Sequence, residues 1–163
     1  MPHIPARFRA ARRAALVALV ASLPLAFAAC ASFGHRAAAS SDATLYARLG
    51  GYEAIAGVAD DFLSRVMSDA RLSPFFKGLD AKDMQRTRQH LVDLLCTATG
   101  GPCYYPGRDM KSVHAQFEIT GDVWNAFTGH FNETFARFHV AERERNELVV
   151  IVQSLRGDIV NRP

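Results

Sequence analysis

From Thr44 onward, apolar side chains recur at spacings of three and four, the period of a helix that packs on one side. Residues 52–68 place Ile55, Val58, Ala59, Phe62 and Val66 on one face, and Gly50-Gly51 break the chain just before them. The segment LSPFF (72–76) contains Pro74 and is too short for a full helix. Asp80 followed by Asp83 reads as an N-cap with an acid in the first turn. The helix it opens carries Met84, Leu91, Leu95 and Ala98 on one face, with Leu94 beside them, and stops at Gly100-Gly101-Pro102. Thr120 with Asp122 opens the next helix, whose stripe is Trp124, Phe127, Phe131, Thr134 and Phe138. A last helix, about 141–160, carries Leu148, Ile151, Val152, Leu155 and Ile159. No stretch alternates with period two for long. The expectation is an all-α domain with four substantial helices and short extras.

The first residues follow a different pattern. Arg7, Arg9, Arg12 and Arg13 precede an unbroken run, LVALVASLPLAFAA, from Leu16 to Ala29, with no acid in residues 1–29. A basic start, a short apolar stretch and small residues describe an export signal. The run is shorter than the ~20 apolar residues of a membrane span, and Pro24 weighs further against a permanent anchor helix. Ala28-Ala29-Cys30 resembles a bacterial lipobox, in which cleavage before the cysteine leaves Cys30 for lipid attachment; ordinary cleavage after Ala26-Phe27-Ala28 is the rival. Residues 1–29 are therefore expected to be a signal peptide and residues 30–43, rich in Ala and Ser, a flexible tether. Residues 44–161 form the domain.

Export changes the charge argument. The whole chain has 19 basic and 16 acidic residues. Without residues 1–29 it has 15 basic against 16 acidic, so the basic balance belongs to the signal. No basic patch is left that would argue for nucleic acid. If Cys30 carries lipid, Cys96 and Cys103 remain as an even pair, which an oxidising compartment often turns into a disulfide. Two free thiols are the alternative. A zinc site is not expected, because no CxxC or second ligand pair is present.

Of eleven phenylalanines, eight fall within residues 44–161, many for such a domain. They fit a large aromatic core, or a core built around a flat apolar ligand. Of six histidines, His3 lies in the signal and His35 in the tether, while His130 and His139 read as core-edge or surface residues. His90 and His114 remain. His114 follows a loop full of helix breakers, GGPCYYPGRD, and shares a helical face with Met110, Val113 and Phe117. Such a residue is often a hydrogen-bonded core histidine. In a Phe-rich helical domain it also suits an axial haem ligand, which needs a neutral nitrogen and apolar neighbours.

In this order and spacing the segments resemble the truncated haemoglobins of the two-over-two type, nearest to group I, over about residues 43–161. TLYARLGG resembles the family's short first helix with its double glycine. LSPFFKG resembles the turn whose second phenylalanine, here Phe76, packs on the haem, and YPGRDMKSVH resembles the approach to the proximal histidine. The resemblance implies a two-over-two helical sandwich around one haem b per chain, with His114 as iron ligand. It implies haem contact by Phe62 and Leu63 of the second helix, by Thr87, His90, Leu91 and Leu94 of the distal helix, and by Met110, Lys111 and Trp124. Arg108 or Lys111 would pair with a haem propionate, or be plain surface charge.

Two departures matter. Leu63 stands where many members have a tyrosine, and Leu91 where the distal glutamine is usual, so both expected donors are leucines. His90 is then the polar candidate, as second iron ligand or as hydrogen-bond donor. A three-residue shift in alignment would instead bring Met84 and Arg88 inward. The function implied is reversible binding of O2, NO or CO, in a lipoprotein held at the membrane and facing the periplasm. Haem-dependent NO dioxygenation or peroxide reduction is the alternative. Without a flavin or nicotinamide motif, it would need a separate reductase. A haem-free helical binding module is the third reading.

Overall fold

In the computed structural model, the described residues are 42–162, and they contain helices and no strand. The predicted signal peptide, the lipidation candidate Cys30, His3, His35 and nearly all of the tether lie outside them. The helices are α1 (Leu45–Arg48), α2 (Gly51–Ser68), α3 (Ala81–Ala98), α4 (Met110–His114), α5 (Gly121–Arg137), α6 (Glu142–Ser154) and α7 (Arg156–Ile159), with a 3-10 turn at Ser73–Phe76 between α2 and α3.

Side-chain caps fix where four of these helices start. Thr44, Asp80, Asp109 and Thr120 accept hydrogen bonds from the N–H groups of Ala47, Asp83, Ser112 and Val123. Each satisfies an amide that the helix itself leaves without a partner, and such a cap is typically worth ~1 kcal/mol. Between α1 and α2 the chain turns through Gly50 and Gly51, at φ 99° and 79°. Two successive left-handed residues are affordable only to glycine.

Helix α2 is central and packs against α3 and α5. Phe62 of α2 and Phe135 of α5 are both 1% exposed. Phe62 stacks on Phe131, with centroids 3.8 Å apart, and meets Phe127 edge-on at 4.8 Å. Aromatic pairs of these kinds add roughly 0.5–1.5 kcal/mol beyond the area they bury. Phe62, Phe127, Phe131 and Phe135 thus build the α2–α5 seam.

The structure corrects the pattern reading in three places. The deepest side chains of α3 are Val92, Leu95 and Cys96, while Leu91 and Leu94 are half-buried and Ala98 is exposed. The helix carries two adjoining apolar stripes, and only the one containing Val92 enters the core. On α5, Phe135 is buried and Phe138 is 40% exposed, the reverse of the expected stripe, because the helix ends at Arg137 and Phe138 falls at its cap. The helix expected over about 141–160 is broken. Leu155 closes α6 with its N–H on the Val152 carbonyl, and the short α7 that follows packs against α4.

Candidate functional site

Helix α4 is only five residues long and would not hold its shape alone. Asp109 caps it, and a tightened turn follows it, with the Phe117 N–H on the His114 carbonyl. The half-buried His114 stands at its last position. Its Nδ1 lies 2.7 Å from the carbonyl oxygen of Met110. A carbonyl only accepts, so Nδ1 carries the proton and Nε2 keeps its lone pair. A backbone carbonyl is a common partner for the second nitrogen of a metal-binding histidine, because it fixes tautomer and ring orientation together.

Met110 and Phe117 of this segment, like Leu63, Phe75, Phe76, Leu91 and Phe127 elsewhere in the chain, pack on the core yet are only partly buried. Phe75 meets Phe117 edge-on at 5.7 Å. A neutral imidazole with a free Nε2, together with partly buried aromatic and aliphatic groups, has the chemistry that a porphyrin iron requires. The residues present fit a haem.

Of the expected distal residues, Thr87, His90, Leu91 and Leu94 are all half-buried along α3. The Thr87 hydroxyl donates to the Asp83 carbonyl one turn back and so is spent within the helix. His90 meets Tyr105 edge-on, with ring centroids 5.9 Å apart, and among the described residues no hydrogen bond occupies either of its nitrogens. Leu63 and Leu91 offer no donor. The shifted alignment would turn Arg88 inward, but Arg88 donates two hydrogen bonds to Asp60 of α2, and Asp60 is exposed. Phe62 and Trp124 lie deeper than the other candidates, at 1% and 2% exposure. Trp124 stacks on Phe127, and its indole N–H reaches Gln153. These two back the site from within the core. Lys111 and Arg108 are exposed.

The loop from α3 to α4 is closed by a bond between Cys96 and Cys103, whose Cα atoms are 5.8 Å apart. The Thr97 hydroxyl also donates to the Cys103 carbonyl. Gly101 sits so close beneath Cys96 and Tyr46 that a Cβ there would fall 2.5 Å from the tyrosine ring. Two residues beyond Cys103, the Tyr105 hydroxyl donates to the Arg108 carbonyl, and burial pushes the phenol upward. Disulfide, glycine contact and tyrosine together shape the loop that delivers His114.

A residue that pattern reading missed stands after α7. Asn161 carries no periodicity or motif signal, yet its amide reaches the turn that follows His114. Elsewhere, His130 bridges Asp69 and Glu133 beside Arg71, in a groove that shares no residue with the candidate site. Hydrogen bonds from Arg71, and after them from His130, hold the Asp69 carboxyl far below its usual range.

Known proteins place this arrangement in context. The bacterial-like globin family matches residues 44–161. A group 1 truncated hemoglobin GlbN from Nostoc sp. (strain MUN 8820) is 33% identical over 119 residues, covering 73% of this chain and 98% of the relative. The GlbN of Synechocystis sp. is 38% identical over 118 residues, covering 70% of this chain and 90% of the relative. Among solved structures, the 2/2 hemoglobin of Synechococcus sp. PCC 7002, described with covalently attached heme, superposes with TM-score 0.68 at 30% identity, covering 74% of this chain and all of that one. The truncated hemoglobin of Tetrahymena pyriformis superposes equally well at 26% identity. The expected two-over-two helical architecture is the one these structures share with the chain.

Proposed function

The chain belongs to the bacterial-like globin family, and on that premise we propose that it binds one haem b through His114 and takes O2, NO or CO at the iron. The observation that carries this reading is the hydrogen bond from His114 Nδ1–H to the Met110 carbonyl, which leaves Nε2 free on a half-buried apolar surface. Bound there, haem would supply an iron able to take a diatomic gas or a second side chain. His114 would hold the iron through Nε2, and the partly buried Phe76, Leu91 and Met110 would keep water from the haem. Leu63 and Leu91 donate nothing to a bound ligand, so His90 supplies the polar group, either as hydrogen-bond donor or as competing iron ligand. Electrons for any turnover would come from a separate reductase.

We place the protein outside the cytoplasm, tethered by lipid on Cys30. The charged start and apolar run before Cys30 support this, as does a Cys96–Cys103 bond that an oxidising compartment favours. Purified from membranes, the chain is expected to begin at a lipid-modified Cys30 and to contain one haem with a shifted Soret band under CO. A chain that takes up no haem on reconstitution would overturn the ligand reading. An unmodified N-terminus would overturn the anchor.

A further inference from the structure

Helix α4 has almost nothing of its own to hold it, yet His114 at its end must keep one orientation. The break at Leu155 solves this. It lets α7 pack under α4 and carries the next residues alongside Ile119, where the Asn161 and Arg162 N–H groups both point at the Ile119 carbonyl, at 3.1 and 3.2 Å. From there the Asn161 side chain makes three hydrogen bonds to the turn after His114. Its Nδ2 donates to the carbonyls of His114 (3.0 Å) and Phe117 (2.8 Å), and its Oδ1 accepts from the Ile119 N–H (3.0 Å). Only this orientation of the amide satisfies all three partners, since two are acceptors and one a donor. The His114 carbonyl receives the Phe117 N–H as well, so both its lone pairs are used.

We infer that Asn161 is the positioning residue for His114: its side chain fixes the backbone on which the imidazole stands, and with it the tautomer and direction of Nε2. The inference rests on His114 being the iron ligand. Asn161 does not touch the imidazole; it acts through the backbone at and after the histidine, at His114, Phe117 and Ile119. Being an exposed residue, it can be replaced without opening the core.

The test compares wild type with Asn161→Ala, Asn161→Asp and, as a control in the same segment, Arg162→Ala, which removes only an ion pair to Glu118. In the haem-free chain, nitrogen NMR of His114 is expected to show a single Nδ1–H tautomer in wild type and Arg162→Ala, and a mixture in Asn161→Ala. In the reconstituted ferrous protein, the iron–imidazole stretching band is expected to broaden or shift in Asn161→Ala. Haem is expected to pass to an excess of an acceptor apoglobin about tenfold faster, on the scale of one or two lost hydrogen bonds. Asn161→Asp should follow Ala, because a carboxylate accepts from Ile119 but donates nothing to His114. An Asn161→Ala protein whose tautomer, band and release rate match Arg162→Ala overturns the inference, even if its melting temperature falls. A wild type that takes up no haem overturns the proposed function instead, and the tautomer measurement still decides the role of Asn161.

Discussion

His90 is the polar side chain of the α3 stripe whose ring nitrogens no hydrogen bond occupies among the described residues. On the proposed function, an imidazole in that condition would donate to a bound ligand or take the iron itself. If it donates, His90→Leu is expected to lose a hydrogen bond of ~1.5 kcal/mol and to release O2 about tenfold faster in flash photolysis. If it ligates, the same change is expected to turn a low-spin resting spectrum into a high-spin one. Identical spectra and off-rates would make His90 a surface residue of α3. At this scale, the sequence named His114 as the candidate, and the structure places it half-buried at the end of α4. His114 stood out because its loop and its apolar face together leave few bland readings. Asn161 did not, because a side chain that bonds only to backbone leaves no trace in periodicity, charge or motif.

Among the elements, the loop between α3 and α4 depends most on a single covalent link. The Cys96–Cys103 bond closes a short loop, and the loop-closure model gives roughly 2–3 kcal/mol for a link of this size. Cys96→Ser with Cys103→Ser is therefore expected to lower the unfolding free energy by an amount of that order, and with it the midpoint of urea denaturation. An unchanged midpoint would show that Gly101 and Tyr105 hold the loop unaided. Helix boundaries were readable because caps are local: Asp80 and Thr120 bond within their own first turns. Helix faces were less readable. On α3 the two stripes adjoin, and which one enters the core is decided by α2, far away in sequence. The break at Leu155 had no clear local signal either, since Gly157 is tolerated in a helix at a modest cost and the contact of α7 with α4 joins segments distant in sequence.

At the scale of the whole molecule, ion pairs between elements make the fold sensitive to acid. Arg88 lowers Asp60 on α2; Arg48 lowers Glu144, joining α1 to α6; Arg71 and then His130 lower Asp69 after α2. A carboxylate whose folded value is depressed contributes stability that is fully present above its unfolded value, near 4, and is lost as pH falls through the folded one. Stability is thus expected to hold from neutral down to about pH 5 and to decline progressively below it. Asp69→Asn should be less stable at neutral pH, with a shallower acid decline, followed by helical circular dichroism. An acid decline as steep as that of wild type would mean that Asp69 contributes nothing to it. The family membership and the two-over-two architecture were also readable at this scale, from the order of weak motifs along residues 44–161.

The central claim is that the Nε2 of His114 holds the iron, and removing the imidazole while keeping its space tests it most directly. His114→Gly, reconstituted with haem, is expected to show a weak or altered ferrous spectrum. Free imidazole added in solution should then restore the wild-type Soret and CO bands by filling the gap beside Met110. A His114→Gly protein that binds haem with the wild-type spectrum before any imidazole is added would contradict the account.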